Sequence, residues 1–381
     1  MSDPKNASGF RRALRHRGYA TYTFGSLFSM SADWSSRIVV LWLTWELTES
    51  PVWLGIISFS DLAPTVLLSP IAGAFADRFD KLKLCRMTVT ISALAAIVLL
   101  TLYLSGALVI WSLLAVVLTN GISAATGQPA RIVIVSHLVP REDIGPAVAL
   151  SSVAFNISRF SGPMVAGFVL YYLNPSWAFA VNACFQSLFV LALGRITLLS
   201  KDEPSRARGS LVAEIAEGVR YTMRHPGIGP VMFLLVVSSV GTRPFMDLLP
   251  GFAASVFGRG PEALATMTST VGLGAICAAS YLTMRTSIAG LTVIAVTAVC
   301  VIGVGLVAFA SATNFWFAVA CLFVVGASMS TSATGVMTLV QASVDASMRG
   351  RVLSLYGLIF RGGPALGALV MGWAAHFVGL R

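Results

Sequence analysis

Seven charged residues stand inside long apolar stretches of the sequence, and they are where chemistry would be done: Asp33, Arg37, Asp61, Arg159, Arg243, Asp247 and Arg361. Each costs roughly 2.5–3.5 kcal/mol at the centre of a membrane-crossing helix, so each needs a partner or a water-filled cavity. Asp33 and Arg37 are one helical turn apart, and so are Arg243 and Asp247. A shift of 210 residues lays the first pair on the second with the signs reversed. The two pairs are expected to approach across a cavity as a charge network; two separate intrahelical ion pairs fit the same spacing. Asp61 has no cation within four residues on either side. A carboxylate desolvated without a counter-ion can take up and return a proton near neutral pH, so Asp61 and Asp33 are the candidates for proton coupling. With Arg37 and Arg243, the arginines Arg159 and Arg361 make four mid-span cations against three carboxylates. That surplus favours an anionic substrate, unless Arg159 and Arg361 serve only helix carbonyls freed by Pro163 and Pro364.

Other chemistries find no support. The five cysteines show no paired or metal-like spacing, and the four histidines are not spaced with Cys, Asp or Glu as a metal-ligand set would be. There is no GxxxxGK[ST] loop for ATP and no Ser/His/Asp grouping. The chain therefore reads as neither an enzyme nor a metalloprotein, and it needs no cofactor; a proton gradient is the expected energy source.

The elements that must hold these charges are helices. Hydrophobic residues make up 56% of the 381 and charged residues only 11%, and the mean hydropathy is +0.82. A soluble domain carries roughly 25% charged residues, so a soluble enzyme and a disordered chain are both excluded. Eleven apolar stretches are long enough to span a bilayer, at about 19–47, 51–75, 84–105, 107–136, 145–173, 175–198, 227–256, 263–284, 287–311, 314–341 and 351–379. The fold class is an all-α integral membrane protein. Its expected parts are a basic segment over 1–18, a six-helix bundle over 19–198, a polar linker with an amphipathic helix over 199–226, and a second bundle over 227–381.

The net charge of +10 would suggest nucleic acid in a soluble protein. With the N-terminus placed in the cytoplasm, however, 19 of the 26 basic residues fall on cytoplasmic segments, so the charge records topology. The expected setting is the inner (plasma) membrane, crossed many times, with the lipid bilayer and a small molecule as partners and no nucleic acid. The two parts of the chain echo one another. Ser123-Ala-Ala-Thr-Gly127 in the fourth span matches Ser332-Ala-Thr-Gly335 in the tenth, and Ser161-Gly162-Pro163 in the fifth parallels Gly362-Gly363-Pro364 in the eleventh. A duplicated six-helix unit follows, as in transporters with parallel repeats. It predicts a twelfth span beyond the eleven read here.

Between spans two and three, Gly73, Asp77, Arg78 and Lys81 resemble the signature G-x-x-x-D-R-x-G-R-[RK] of the major facilitator superfamily, with Asp80 in place of its second glycine. Together with Arg86 they read as a cytoplasmic gate, its cations reaching carboxylates or lipid phosphates. Gly162, Pro163 and Gly167 resemble the G-P-x-x-G-G element of antiporter members, with Ala166 replacing one glycine. The stretches at 138–143, 224–227, 243–244 and 249–252 are similar to the branch containing the enterobactin exporter and multidrug–proton antiporters. The resemblance implies two six-helix bundles and efflux of a drug, siderophore or related metabolite by alternating access, usually driven by protons, from a monomer. The arginine that many antiporters carry on the fourth helix has no counterpart, since Leu118-Thr119-Asn120-Gly121 stands there. The alternative is a non-transporting membrane sensor or scaffold of the same fold, which would not need charges within its spans.

Overall fold

The computed structural model describes residues 4–78, 80–198, 211–283, 290–345 and 348–380, with side chains over 9–68, 80–198, 216–282, 290–345 and 348–380. Regular structure among the described residues is helical throughout. The helices are α1 Pro4–Arg15, α2 Arg17–Thr48, α3 Pro51–Arg78, α4 Lys81–Leu104, α5 Ile110–His137, α6 Ile144–Tyr172 and α7 Pro175–Arg195. There follow α8 Leu211–Arg224, α9 Ile228–Gly241, α10 Phe245–Gly251, α11 Pro261–Thr283, α12 Leu291–Ser311, α13 Phe315–Ser343 and α14 Arg349–Val378.

Ten spans among the described residues are apolar and long enough to cross a bilayer. The eleventh read from sequence is α2, whose 32 residues suffice in length but whose Ser, Thr and charged residues lower its apolarity. Local chemistry sets several boundaries. Asn174 accepts from the Ser176 amide ahead of α7, with Pro175 at the first helical position, and Asn314 accepts from the amides of Trp316 and Phe317 ahead of α13. Asp80, which departs from the signature glycine, is the N-cap of α4, its carboxylate 2.8 Å from the Lys83 amide. Gly290, at φ 74°, makes the left-handed turn into α12.

The chain forms two compact units: Met1–Val40 with Leu67–Ala207, and Leu41–Val66 with Arg208–Arg381. In the first, α4 packs on α5 and α7 around a core that includes Tyr22, Val89, Ile134 and Phe189. In the second, α13 packs on α11 and α12, and α14 on α9, around Met232, Leu235, Ala295, Val336 and Val352. The end of α2 and the start of α3 group with the second unit. Close backbone contact explains why: a Cβ at Gly55 would lie 2.5 Å from the Ala368 carbonyl, and one at Gly372 would lie 2.7 Å from the Pro51 carbonyl.

The repeated SATG elements occupy matching crossings. Gly127 of α5 lies against Thr88 of α4, and Gly335 of α13 lies against Ala295 of α12. Each unit is also led by an amphipathic helix strapped to the loop between its fourth and fifth spans. Arg12 and His16, on and just after α1, both bind the Asp143 carboxylate, His16 at 2.9 Å, and the Tyr19 hydroxyl donates to the Ala147 carbonyl at 2.7 Å. His16 and then Arg12 hold the Asp143 carboxyl below its ordinary value. On α8, Glu217 accepts from Arg351 at the start of α14 at 3.1 Å, and the Tyr221 hydroxyl donates to Asp345 at 2.9 Å. The sequence reading leaves 1–18 as a basic segment and places the second amphipathic helix at the membrane surface. The structure adds that both helices dock on their own units.

Candidate functional site

In the first unit, α2 carries Ser29 and Asp33 one turn apart, both facing α7. Gln186 of α7 is fully buried between them. Its Nε2 donates to Asp33 Oδ1 at 2.6 Å, and its Oε1 accepts from the Ser29 hydroxyl at 2.8 Å. A carboxylate can only accept, so the amide nitrogen must face Asp33 and the oxygen Ser29. Asp33 itself remains exposed, while Arg37 is half-buried a turn further on. Both take part in further interactions.

Helix α6 brings Arg159 to this place. A Cβ at Gly162 would lie 2.3 Å from Trp34 Cβ and 3.0 Å from the Ser35 amide, so only glycine lets α6 cross α2 there. Ser158 donates to the Leu27 carbonyl at 3.0 Å, and the Ser31 and Ser161 hydroxyls are 3.0 Å apart. The antiporter-like element is thus a close helix crossing, with Gly162, Pro163 and Gly167 all buried. One turn before it, the Arg159 guanidinium stands 6.0 Å from the Trp34 ring centroid. Ser152, Asn156 and Arg159 form an exposed polar stripe on α6.

The second unit handles its charges differently. Arg243 and Asp247 do not lie on one continuous helix. Pro244 has no N–H and disfavours helical backbone at the residue before it, so α9 ends at Gly241, Arg243 sits in the turn, and α10 restarts at Phe245. The expectation of an i,i+4 pair within a regular span is corrected accordingly. The Arg243 guanidinium stacks 3.7 Å over the Phe360 ring centroid, 3.4 Å from the Phe360 carbonyl, and lines a cleft with Ser238, Thr242, Met329 and Ser332. Asp247 is buried. A π-helical turn, Phe252–Val256, follows α10. Here too glycine sets the crossing: Gly363 lies against Ser239, and Gly367 against the Val240 carbonyl and the Pro244 ring. Arg361, next to Phe360, is exposed.

Asp61 belongs to the second unit, so the structure divides the two proton-coupling candidates. It is half-buried and interacts with other groups, which corrects the expectation of an isolated, enclosed carboxylate. Of the gate motif, Gly73, Asp77 and Arg78 lie outside the residues whose side chains are described. Lys81 is buried rather than extended into solvent. Arg86 donates from Nε and Nη2 to the Leu193 carbonyl at 3.0 and 2.6 Å. It ties α4 to the C-terminal turn of α7, where unsatisfied carbonyls attract a cation. Among the described residues no group of His, Cys, Asp and Glu gathers as metal ligands.

Sequence reasoning passed over Gln186, because an uncharged amide in an apolar span carries no signal by itself. The signal that could have found it is the i,i+4 spacing of Asn182 and Gln186, two amides that are both buried on α7.

Among proteins of known role, the chain is 26% identical to the staphyloferrin A transporter of Staphylococcus aureus (strain NCTC 8325 / PS 47), covering 94% of this chain and 90% of that one. It is 22% identical to the macrolide efflux protein A of Streptococcus pyogenes over 95% and 90%, and 26% identical to the enterobactin exporter EntS of Salmonella typhi over 79% and 72%. The fold matches the nucleoside transporter NupG with a TM-score of 0.67 at 14% identity, covering 94% of this chain and 91% of that one. It matches the human organic anion transporter MFSD10 with a TM-score of 0.63 at 16% identity, over 95% of each. The family described as transmembrane secretion effector matches residues 8–381. The chain therefore belongs to the transmembrane secretion effector family of the major facilitator superfamily, as a membrane transporter and not an enzyme.

Proposed function

We propose that the protein exports an anionic small molecule from the cytoplasm in exchange for protons, by alternating access. One observation carries this reading: Asp33, Asn156, Arg159 and Arg361 are exposed in the middle of apolar helices. Charged groups do not face hydrocarbon there, so in each unit they face water. Asp33 is the proton carrier, since it is the carboxylate that is both open at mid-span and anchored by a buried amide. Arg159, Arg243 and Arg361 supply the positive field for the anion. Asp61 has the weaker claim, because it is neither enclosed nor isolated.

The setting is the plasma membrane with the N-terminus in the cytoplasm, supported by the gathering of basic residues on that side. One chain is the working unit, since both repeats lie on it. The relatives' printed substrates, staphyloferrin A, enterobactin and macrolides, make anionic siderophores and drugs the classes to test first. Counterflow in proteoliposomes, with and without a pH gradient, is the experiment. The panel is staphyloferrin A, enterobactin, a macrolide, ethidium and citrate. Gradient-stimulated movement of an anionic member supports the proposal. Movement of ethidium alone overturns the anion assignment, and indifference to the gradient overturns proton coupling.

A further inference from the structure

Two mid-span arginines stand beside aromatic rings, and they do so differently. The Arg243 guanidinium is pressed on Phe360 at 3.7 Å and reaches the Phe360 carbonyl. The Arg159 guanidinium stands 6.0 Å from the Trp34 ring centroid, at the outer limit of such contacts and too far to cover the ring as a stacked plane does. Among the described residues no carboxylate or carbonyl takes its N–H donors, and it is exposed in the middle of an apolar helix. Both residues belong to the first unit.

Helix geometry puts Arg159 at the margin of two faces of α6. On the face toward α2, Phe155 meets the Trp34 ring edge-on at 6.4 Å, and a Cβ at Gly162 would strike Trp34 Cβ. At about 100° per residue, Arg159 projects beside Phe155 and in line with Asn156, roughly opposite the exposed apolar side chains Ile157 and Met164 that suit lipid. We propose that Trp34 and Arg159 form a subsite for an aromatic carboxylate, its ring against the indole and its carboxylate on the guanidinium fork. This rests on the proposed export of an anion and narrows that anion to a class. An arginine takes a carboxylate through two parallel N–H bonds, and an indole takes an aromatic ring in offset or edge-on stacking. A saturated ring gains no such stacking. The acid next to Trp34, Asp33, is directed to α7, where Gln186 donates to it, about 100° round the helix from the ring.

The probes are naphthalene-2-carboxylate and decahydronaphthalene-2-carboxylate, which share charge and carbon skeleton and differ in aromaticity. The saturated skeleton is the more apolar, so hydrophobic burial alone would favour it. Binding of each to the full chain in detergent is measured by equilibrium dialysis. The unaltered protein is expected to bind the aromatic acid about fivefold more tightly, the worth of one aromatic pair. Arg159→Gln should weaken both acids by at least about tenfold, since the charged donors are lost. Trp34→Leu should bring the two affinities together, and the milder Trp34→Phe should lower their ratio about twofold. An unmoved ratio in whichever of these two folds overturns the subsite, as does an unmoved affinity in Arg159→Gln. Equal affinities in the unaltered protein, or binding of neither acid, overturn it as well. Counterflow of staphyloferrin A and citrate in the same preparation separates the two readings: if either moves, export of an anion stands although the subsite has failed.

Discussion

The two units are built on one pattern, yet they treat charge in opposite ways. In the first unit the mid-span carboxylate is open, on an unbroken helix, with a buried amide behind it. In the second Asp247 is buried, the helix is broken at Pro244, and a half-buried arginine, Arg243, stacks on an aromatic ring. The straps differ too: Arg12 and His16, on and just after α1, grip the acid Asp143, while on α8 Glu217 accepts from Arg351 of α14 and Tyr221 donates to Asp345. Matching crossings thus carry different charges. On the proposed reading, the first unit carries the proton at Asp33, and cations of both units serve the anion.

The hardest way to break this comparison is to neutralise the two carboxylates separately. Asp33→Asn is expected to cut gradient-driven transport by roughly a hundredfold, the scale of a lost proton-transfer group. Counterflow should survive. Asp247→Asn should retain coupling. Equal losses from the two in proteoliposome flux would erase the distinction between the units.

The crossings, by contrast, should respond alike. Gly162→Ala places a methyl against Trp34, and Gly367→Ala places one against the Val240 carbonyl. Each is expected to cost about 1–3 kcal/mol by overpacking, seen as a lower melting temperature in detergent. Gly357→Ala, where nothing stands within 4 Å, should cost nothing by comparison. Unequal penalties at the two crossings would show that the repeat is not preserved there.

Smaller effects lie at Arg243 and in the straps. Arg243→Lys keeps the charge but gives up planar stacking on Phe360, and should lower stability by about 1 kcal/mol. The Asp143 carboxyl is held below its ordinary 3.8, so its contribution to docking α1 is present above that value. It is lost as the pH falls through the lowered one. The protection of α1 amides, corrected for the intrinsic pH dependence of exchange, should therefore fall as the pH drops below about 4. Least of all, Glu217→Gln should change the melting temperature little, because the Glu217 and Arg351 side chains are 55% and 34% exposed and such pairs contribute at most about 1 kcal/mol. A large effect there would mean that α8 carries more of the second unit than α1 carries of the first.

Much of this was legible before any coordinates. Hydropathy announces spans because a bilayer demands about 20 apolar residues in succession. Charges at mid-span are conspicuous because they are costly. Short repeats of small residues read as a duplication, and the structure places them at helix crossings, since backbones meet only where side chains vanish. What escaped had no such signature. Gln186 is one polar residue among many in the spans, and its meaning depends on Ser29 and Asp33 more than 150 positions away. Arg86 read as a gate cation and serves a carbonyl of α7. The break at Arg243 was written plainly in the proline that follows it, but the regular spacing to Asp247 suggested a helix running through.

By itself, then, the sequence determined that this is a helical membrane protein of the major facilitator kind, with charges inside its apolar spans. These follow from local composition, which lipid reads residue by residue. Only the tertiary structure decided which carboxylate is held open and which is buried, and that the end of α2 and start of α3 group with the second unit. It also chose the partners of each strap. Those are questions of which surfaces meet, and partners distant in sequence are chosen by packing, where a clash of half an ångström outweighs any local preference.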